Sequence, residues 1–372
     1  MSVQYKYRMV SVQSMGNKSY IELMLNTQIK SKSKTHKYNM KKSSLIPFIS
    51  TLLFCACETQ IETPPTENNE EYEFKVENGI LPGIFSVSDS TTIHFSQGNL
   101  QYHVSTNTWR FAEHQTDVIE ANFYTLKTTK YNEIIDLFGW ATSGFNNTKL
   151  DSLAVNYQPW STSDQYNTTC TDNPYGYGFS LFFLDTIKND TIDIILDFSI
   201  DSTKYDWGIY NAIENGGNQD SLWRTLTQDE WHYLIYQRKN AEKLYGIASI
   251  NGTNGIIFLP DNWISPSDIT FNPGLGNAFG IDYFKIKNYF NANKWHKMQL
   301  AGAVFLPACG FRNGIEFNNL NITGAYWTSS CPIQNNPRYL YFYSNYLTLT
   351  SGNNPHYGHA VRLVYQQPLH ND

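Results

Sequence analysis

The chain has no apolar run long enough to cross a membrane. The run at Leu45–Phe54 is interrupted by Pro47, Ser50 and Thr51, whereas a spanning helix needs about 20 residues. Basic charge is scarce outside the front of the chain. Residues 1–57 hold nine of the 27 Lys and Arg and one of the 33 Asp and Glu, which leaves 18 basic and 32 acidic residues, a net of −14. That remainder has no electrostatic footprint for nucleic acid or an anionic membrane, and phosphate ligands are disfavoured for the same reason. No Ser-His-Asp set, Gly-rich phosphate loop or Asp-x-Asp calcium loop stands out. From Leu81 onward there is no Pro- or Ser-rich linker and no internal repeat, so about 290 residues read as one domain with large loops.

The front of the chain carries the addressing signals. Residues 1–39 are polar and basic without a sustained period and read as an upstream extension, with Met40 as the expected start. Met40, Lys41 and Lys42, the short apolar run and the small residue Ala56 make a secretory leader over residues 40–57. Cys57 directly after Ala56 resembles the lipidated first residue of a bacterial lipoprotein; an ordinary cleaved leader with a coincidental Cys is the alternative. Residues 58–80, acidic and Pro-containing at first, read as a disordered tether. The expected location is outside the cell, lipid-anchored at the outer-membrane surface, with the lipid as the only membrane contact.

Residues 81–367 should then form the domain. Phe85, Val87, Ile93 and Phe95 read as a hairpin, and Gly98–Tyr102 with Trp109–Phe111 as another strand pair. Glu133–Phe138 reads as a short helix or turn, and Ile192, Ile194 and Leu196 as part of a hairpin within the hard-to-assign residues 143–200. Thr227, Gln228, Asp229, Glu230 is a capping box that opens a helix closed at Tyr245 and Gly246. A second helix is expected over Asn293–Leu300, followed by a buried strand from Ala303 to Leu306.

These segments carry a resemblance. Trp223–Trp231, reading Trp-Arg-Thr-Leu-Thr-Gln-Asp-Glu-Trp, is similar to a signature of the formylglycine-generating (sulfatase-modifying factor) family. Gly310–Gly314, Tyr326–Ser330 and Val361–Leu363 resemble its closing motifs, in order, over roughly residues 85–366. The nearer likeness is to surface lipoproteins of gut anaerobes that carry this domain without its chemistry. The resemblance implies an α+β, C-type-lectin-like fold with short antiparallel strands, two helices and long loops. The family's copper chemistry uses a pair of closely spaced cysteines. Cys309 and Cys331 lie 22 residues apart outside any matching motif, so no catalytic residue is assigned. A disulfide between them and two buried free thiols are both open readings, and Cys170 has no assigned state. Arg224, Thr227, Glu230, Trp231 and Trp327 read as structural, and Arg362 as a buried or half-buried structural Arg paired with a carboxylate.

The segment Thr328–His359 is loaded with contact residues. Between Tyr326 and Arg362 lie six Tyr and five Asn, a mix that supplies rigid amphipathic area and adaptable hydrogen bonding. A Tyr-rich antiparallel sheet with Asn in its turns explains much of the same composition. Alternation in Tyr339–Tyr343 puts Leu340 and Phe342 in the core and Tyr339, Tyr341 and Tyr343 on the exposed face. Asn335, Asn336, Asn345, Tyr346, Asn353, Asn354, His356 and Tyr357 complete the expected contact set for a surface glycan or protein ligand. No cofactor is expected. His356 and His359 suit zinc poorly, and Asp201 and Asp206 read as solvated turn residues rather than a structural calcium site. An oxidase or other enzyme on this fold and a structural subunit of a surface assembly are the competing functions. The family likeness also extends to targets of diversity-generating retroelements, in which such a segment is randomised. On that reading, sequencing this locus in many isolates should find substitutions concentrated between Tyr326 and Arg362, at codons for Asn, Tyr, Ser and His. A constant segment amid drifting flanks would mark a fixed site instead.

Overall fold

The computed structural model describes residues 76–103, 105–119, 134–146, 152–153, 199–313, 316–333, 336–349, 352 and 355–366, all within the unit Asn69–Asp372. The leader, Cys57, most of the tether and the Ile192–Leu196 hairpin lie outside the described residues, as does Cys170.

Strands β1 (Phe85–Ser86) and β2 (Thr92–Phe95) form the expected hairpin, with Phe85 opposite Ile93. Strands β3 (Leu100–His103) and β4 (Thr108–Phe111) pair with Leu100 opposite Phe111. The described part of the Glu133–Phe138 segment, residues 134–138, is not helical. It supplies strand β5 (Ile134–Ile135), which pairs with the free edge of β3. Two adjacent β-branched residues suit a pleated edge, and that distant partner outweighs local propensity. A two-residue pair, β6 (Phe145–Asn146) and β7 (Ser152–Leu153), precedes the short helix α1 (Trp207–Tyr210) and strand β8 (Trp223–Thr225).

Helix α2 (Gln228–His232) opens on the capping box and passes into a π-helical segment, Tyr233–Gln237. Thr227 Oγ1 accepts the Glu230 amide at 3.1 Å, and Glu230 Oε2 accepts the Thr227 amide at 2.9 Å. Arg224 clamps the same carboxylate with two bonds of 2.8 and 2.6 Å. Tyr245 and Gly246 do more than end this region. Tyr245 opens β9 (Tyr245–Ile250), which turns through Asn251 and Gly252, both at positive φ, into β10 (Thr253–Phe258). Two consecutive left-handed residues match the twist of a tight hairpin. Helix α3 (Asp282–Lys287), strand β11 (Tyr289–Phe290), helix α4 (Ala292–Leu300, capped by Asn291) and strand β12 (Val304–Pro307) follow. The chain closes with β13 (Phe311–Asn313), β14 (Glu316–Asn318), β15 (Gly324–Trp327), β16 (Tyr339–Tyr343), β17 (Tyr346–Thr348) and β18 (Leu363–Tyr365).

The result is an α+β protein of small, mostly antiparallel sheets and short helices. The sheets run β1-β2-β18-β8, β11-β9-β10-β12, β15-β16-β17 and β4-β3-β5, with smaller pairs beside them. The last strand sits between β2 and β8, so the two ends of the domain share one sheet. The residues leading into β18 stitch the others together. Ala360 bonds to Ala325 and Trp327 at 3.0 Å each, Val361 O accepts the Leu100 amide at 2.9 Å, and Leu363 O accepts the Ser96 amide at 3.0 Å.

Arg362 lies at the centre of this seam, and its partners are not the carboxylate expected of it. Nη1 donates to Asn99 Oδ1 at 3.3 Å and Nη2 to Gln115 Oε1 at 2.9 Å. Amide oxygens take guanidinium hydrogens without requiring a second charge to be desolvated. Gln115 also accepts the Phe305 amide at 2.7 Å and donates to Ala303 O at 3.3 Å. Asn99 Nδ2 donates to the Tyr326 hydroxyl at 3.2 Å, which donates to Pro307 O at 2.7 Å. Burial draws the Arg362 pKa down to about 10, so the side chain keeps its charge at neutral pH.

Removing the Tyr326 hydroxyl would leave Asn99 Nδ2 buried without its partner, while Pro307 O keeps the Cys309 amide at 2.9 Å. Tyr326→Phe should therefore lower unfolding free energy by about 1–3 kcal/mol, read as a lower urea midpoint at unchanged m.

Candidate recognition face

The sheet β15-β16-β17 carries the predicted segment. Leu340 and Phe342 are fully buried, and the Phe342 ring packs over Gly324 on the neighbouring strand. A Cβ at Gly324 would lie 2.2 Å from that ring, so this position admits no side chain while Phe342 keeps its place. The period of two then places Tyr339, Tyr341 and Tyr343 together on the other face. They are half-buried rather than exposed, because each ring packs edge-on against the next. The centroid separations are 5.8 Å for Tyr339–Tyr341 and 6.0 Å for Tyr341–Tyr343. Tyr346, opposite Tyr343 across the β16–β17 turn, stacks on it at 5.1 Å.

The row extends at both ends with residues that strand alternation does not reveal. Phe279 meets Tyr343 edge-on at 5.2 Å. It is held by the loop Gly274–Gly280, which is fastened to the β16–β17 turn. Ser344 O accepts the Gly276 amide at 2.7 Å, while Ser344 Oγ accepts the Gly280 amide at 3.0 Å and donates to Ala278 O at 2.9 Å. Phe279 is 63 % exposed and Tyr346 41 %. Tyr236 of the π-helical segment is also exposed, and after burial its neighbours Tyr245 and Tyr346 add to the upward push on its phenol pKa. The signal available in the sequence was a lone aromatic in a Gly-containing loop, Gly274-Leu-Gly-Asn-Ala-Phe-Gly280.

The other end is anchored. Tyr339 stacks on His359 at 4.8 Å, and His359 lies 4.2 Å from Trp327. Tyr357 continues the row, 6.1 Å from His359 and 5.9 Å from Phe311. One end of the row is thus open to water and the other is embedded in the aromatic core of Trp109, Phe138, Trp140, Trp207 and Trp327. Between Phe317 and Val361 the chain has one charged side chain, Arg338, so the face offers rings, hydroxyls and amides rather than charge.

Other expected contact residues separate here. Asn345 is exposed at the β16–β17 turn beside Tyr346, and Asn336 and Tyr357 are half-buried. Asn335, Asn353 and Asn354 lie outside the described residues. His356 is not a loop contact. It is 2 % exposed and packs at 4.8 Å against Tyr357, because the chain turns inward there to bring His359 and Ala360 alongside β15. Trp231 and Trp327 are both buried. Asp206 is not a solvated turn residue. Its carboxylate is fully buried and accepts the amides of Gly208, Ile209 and Thr225 at 2.9, 3.4 and 3.0 Å, as a helix cap. Asp201 is exposed.

Cys309 and Cys331 are both buried, and neither is in a disulfide. Burial first, then the nearby Asp136 charge, pushes the Cys309 pKa up to about 12, which holds it as the unreactive thiol. Among the described residues, no group of three or more His, Cys, Asp or Glu is placed to hold a metal ion, and no helix is long and apolar enough to cross a membrane. No family model, curated protein or solved structure matches the chain.

Burial sets the protonation of the anchored end. It pulls the His359 pKa down to about 3, against about 6.5 for the unfolded chain. Below pH 6.5 unfolding therefore takes up a proton, so this contribution to stability is complete above that pH and is lost as pH falls towards 3. At pH 5 the loss should be about 2 kcal/mol, from about 1.4 kcal/mol per unit. Urea unfolding at pH 7 and pH 5 checks this, and His359→Gln should shrink the difference between the two by that amount.

Proposed function

We propose that this is a surface-anchored binding protein that recognises a glycan or protein partner through the aromatic row on the β15-β16-β17 face. The observation that carries the reading is the row itself. Tyr339, Tyr341, Tyr343 and Tyr346, with Phe279, form one continuous, nearly charge-free strip that is open to water at its Tyr346 end. Rigid aromatic side chains lose little entropy on binding and dominate the energy of recognition surfaces. A strip on a sheet face, rather than a deep cavity, suits a macromolecular partner.

The fold is read as C-type-lectin-like, of the formylglycine-generating type. Short antiparallel sheets, short helices and the resemblance of the closing motifs support that assignment. The enzymatic branch of the family is set aside because the Cys309 thiol is buried and strongly protonated, the opposite of what a soft-metal ligand needs. The secretory leader, the acidic tether and Cys57 support export and anchoring by lipid. The pleat also suits a diversified segment, since the outer Tyr can be exchanged without touching Leu340 or Phe342.

The test is a screen of the exported protein against arrayed glycans and surface proteins, followed by variants. Tyr343→Ala and Tyr346→Ala should each weaken a captured ligand by about 10-fold or more, as truncated hot-spot residues do. Thermal melting should move little for Tyr346→Ala, whose ring is exposed. A ligand whose affinity ignores both substitutions would sink the proposal.

A further inference from the structure

A cleft of about 580 Å³ lies between β4, the turn that precedes it, α1 and the Asp220–Ser221 turn. None of its residues belongs to the aromatic row. Its floor is nearly dry: Trp109 is 5 % exposed and Asn211 8 %. The orientation of Asn211 is fixed by its partners. Its amide group faces two carbonyl oxygens, Ser143 O at 2.9 Å and Trp207 O at 3.0 Å. Both are acceptors, so the atom facing them is Nδ2, and both of its hydrogens are committed. The side-chain atom left over is Oδ1, an acceptor on a residue that lines the cleft.

The rest of the lining narrows the ligand. Lys204 and Asp220 lie exposed at the mouth, one donor cation and one acceptor anion, so neither an anion nor a cation is favoured by net charge. Trp109 and Tyr210 contribute apolar ring surface. An apolar ligand would seal Asn211 Oδ1 away from water without a donor, a penalty that selects against it. A neutral molecule with several hydroxyl groups and apolar C–H faces meets every part of this lining. It can donate to Asn211, exchange hydrogen bonds with Lys204 and Asp220, and lay its carbon face on the rings. The volume falls within the range of small-molecule sites.

We propose that this cleft is a second binding site, for a neutral mono- or disaccharide, with Asn211 Oδ1 as an acceptor. The inference is independent of the role of the aromatic row.

The experiment is saturation-transfer-difference NMR on the intact protein with glucose, galactose, N-acetylglucosamine, cellobiose, lactose and chitobiose. At least one sugar should show transfer to its ring protons. Ala212→Trp, at an exposed position of the cleft wall, should abolish that signal by filling the mouth. Lys204→Ala, at an exposed position, should weaken the same sugar about 10-fold or more, the size of one lost hydrogen bond to a charged group. Tyr346→Ala should leave it unchanged. Three results would each overturn the proposal. They are silence from all six sugars, a signal that survives both cleft variants, and a signal lost in Tyr346→Ala but kept in Ala212→Trp, which would put the sugar on the aromatic row.

Discussion

Arg362 brings a full charge into the middle of the protein, where its two terminal nitrogens are met by amide oxygens and its Nε has no partner. Desolvating a guanidinium costs several kcal/mol unless its hydrogens find acceptors in good geometry. Asn99 and Gln115 supply those acceptors from the approach to β3 and from the loop beyond β4. Both are in turn held by groups on β12 and β15, through Tyr326, Phe305, Ala303 and Pro307. The set links strands of three sheets through one side chain. Hydrophobic burial supplies the bulk of the stability. The polar seam fixes which of the many compact arrangements those apolar surfaces adopt.

The aromatic face of β15-β16-β17 inherits its shape from that seam. Ala360 is tied to β15 from the side of Arg362, and His359, next to it, sets where the aromatic row ends. The row is therefore rigid at its Tyr339 end and free to make contacts at its Tyr346 end. A partner would meet rings whose positions are already chosen, which reduces the ordering cost of association.

Some of this is legible in the chain and some is not, and distance along the sequence separates the two. The capping box at Thr227 and Glu230, the hairpin at Phe85–Phe95 and the alternation of Tyr339–Tyr343 are local patterns, set by neighbours within a few residues. The strand at Ile134–Ile135 owes its form to the distant β3, so a local reading gives it the wrong class. Asp206, His356 and Arg362 show the same limit for side chains. Each looks polar and accessible, or looks for a charged mate, until the fold shows which backbone amides, rings or amide oxygens surround it. Phe279 was invisible as a site residue because a hydroxyl of β16–β17, Ser344 Oγ, holds its loop in place. The carbonyls that orient Asn211 come from Ser143 and Trp207, and only the former is far away in sequence.

The position of β18 also constrains the order in which the molecule is assembled. It fills an interior slot between β2 and β8, and β2 is made some 270 residues before it. Loop closure over such a span is slow, and the early sheet has an unoccupied edge until it happens. Synthesis must therefore reach Leu363–Tyr365 before the first strands have their permanent neighbour. A ribosome that stops short of Leu363 releases a product with its central slot open, its Arg362 cradle empty and a sheet edge exposed to whatever strand is nearest.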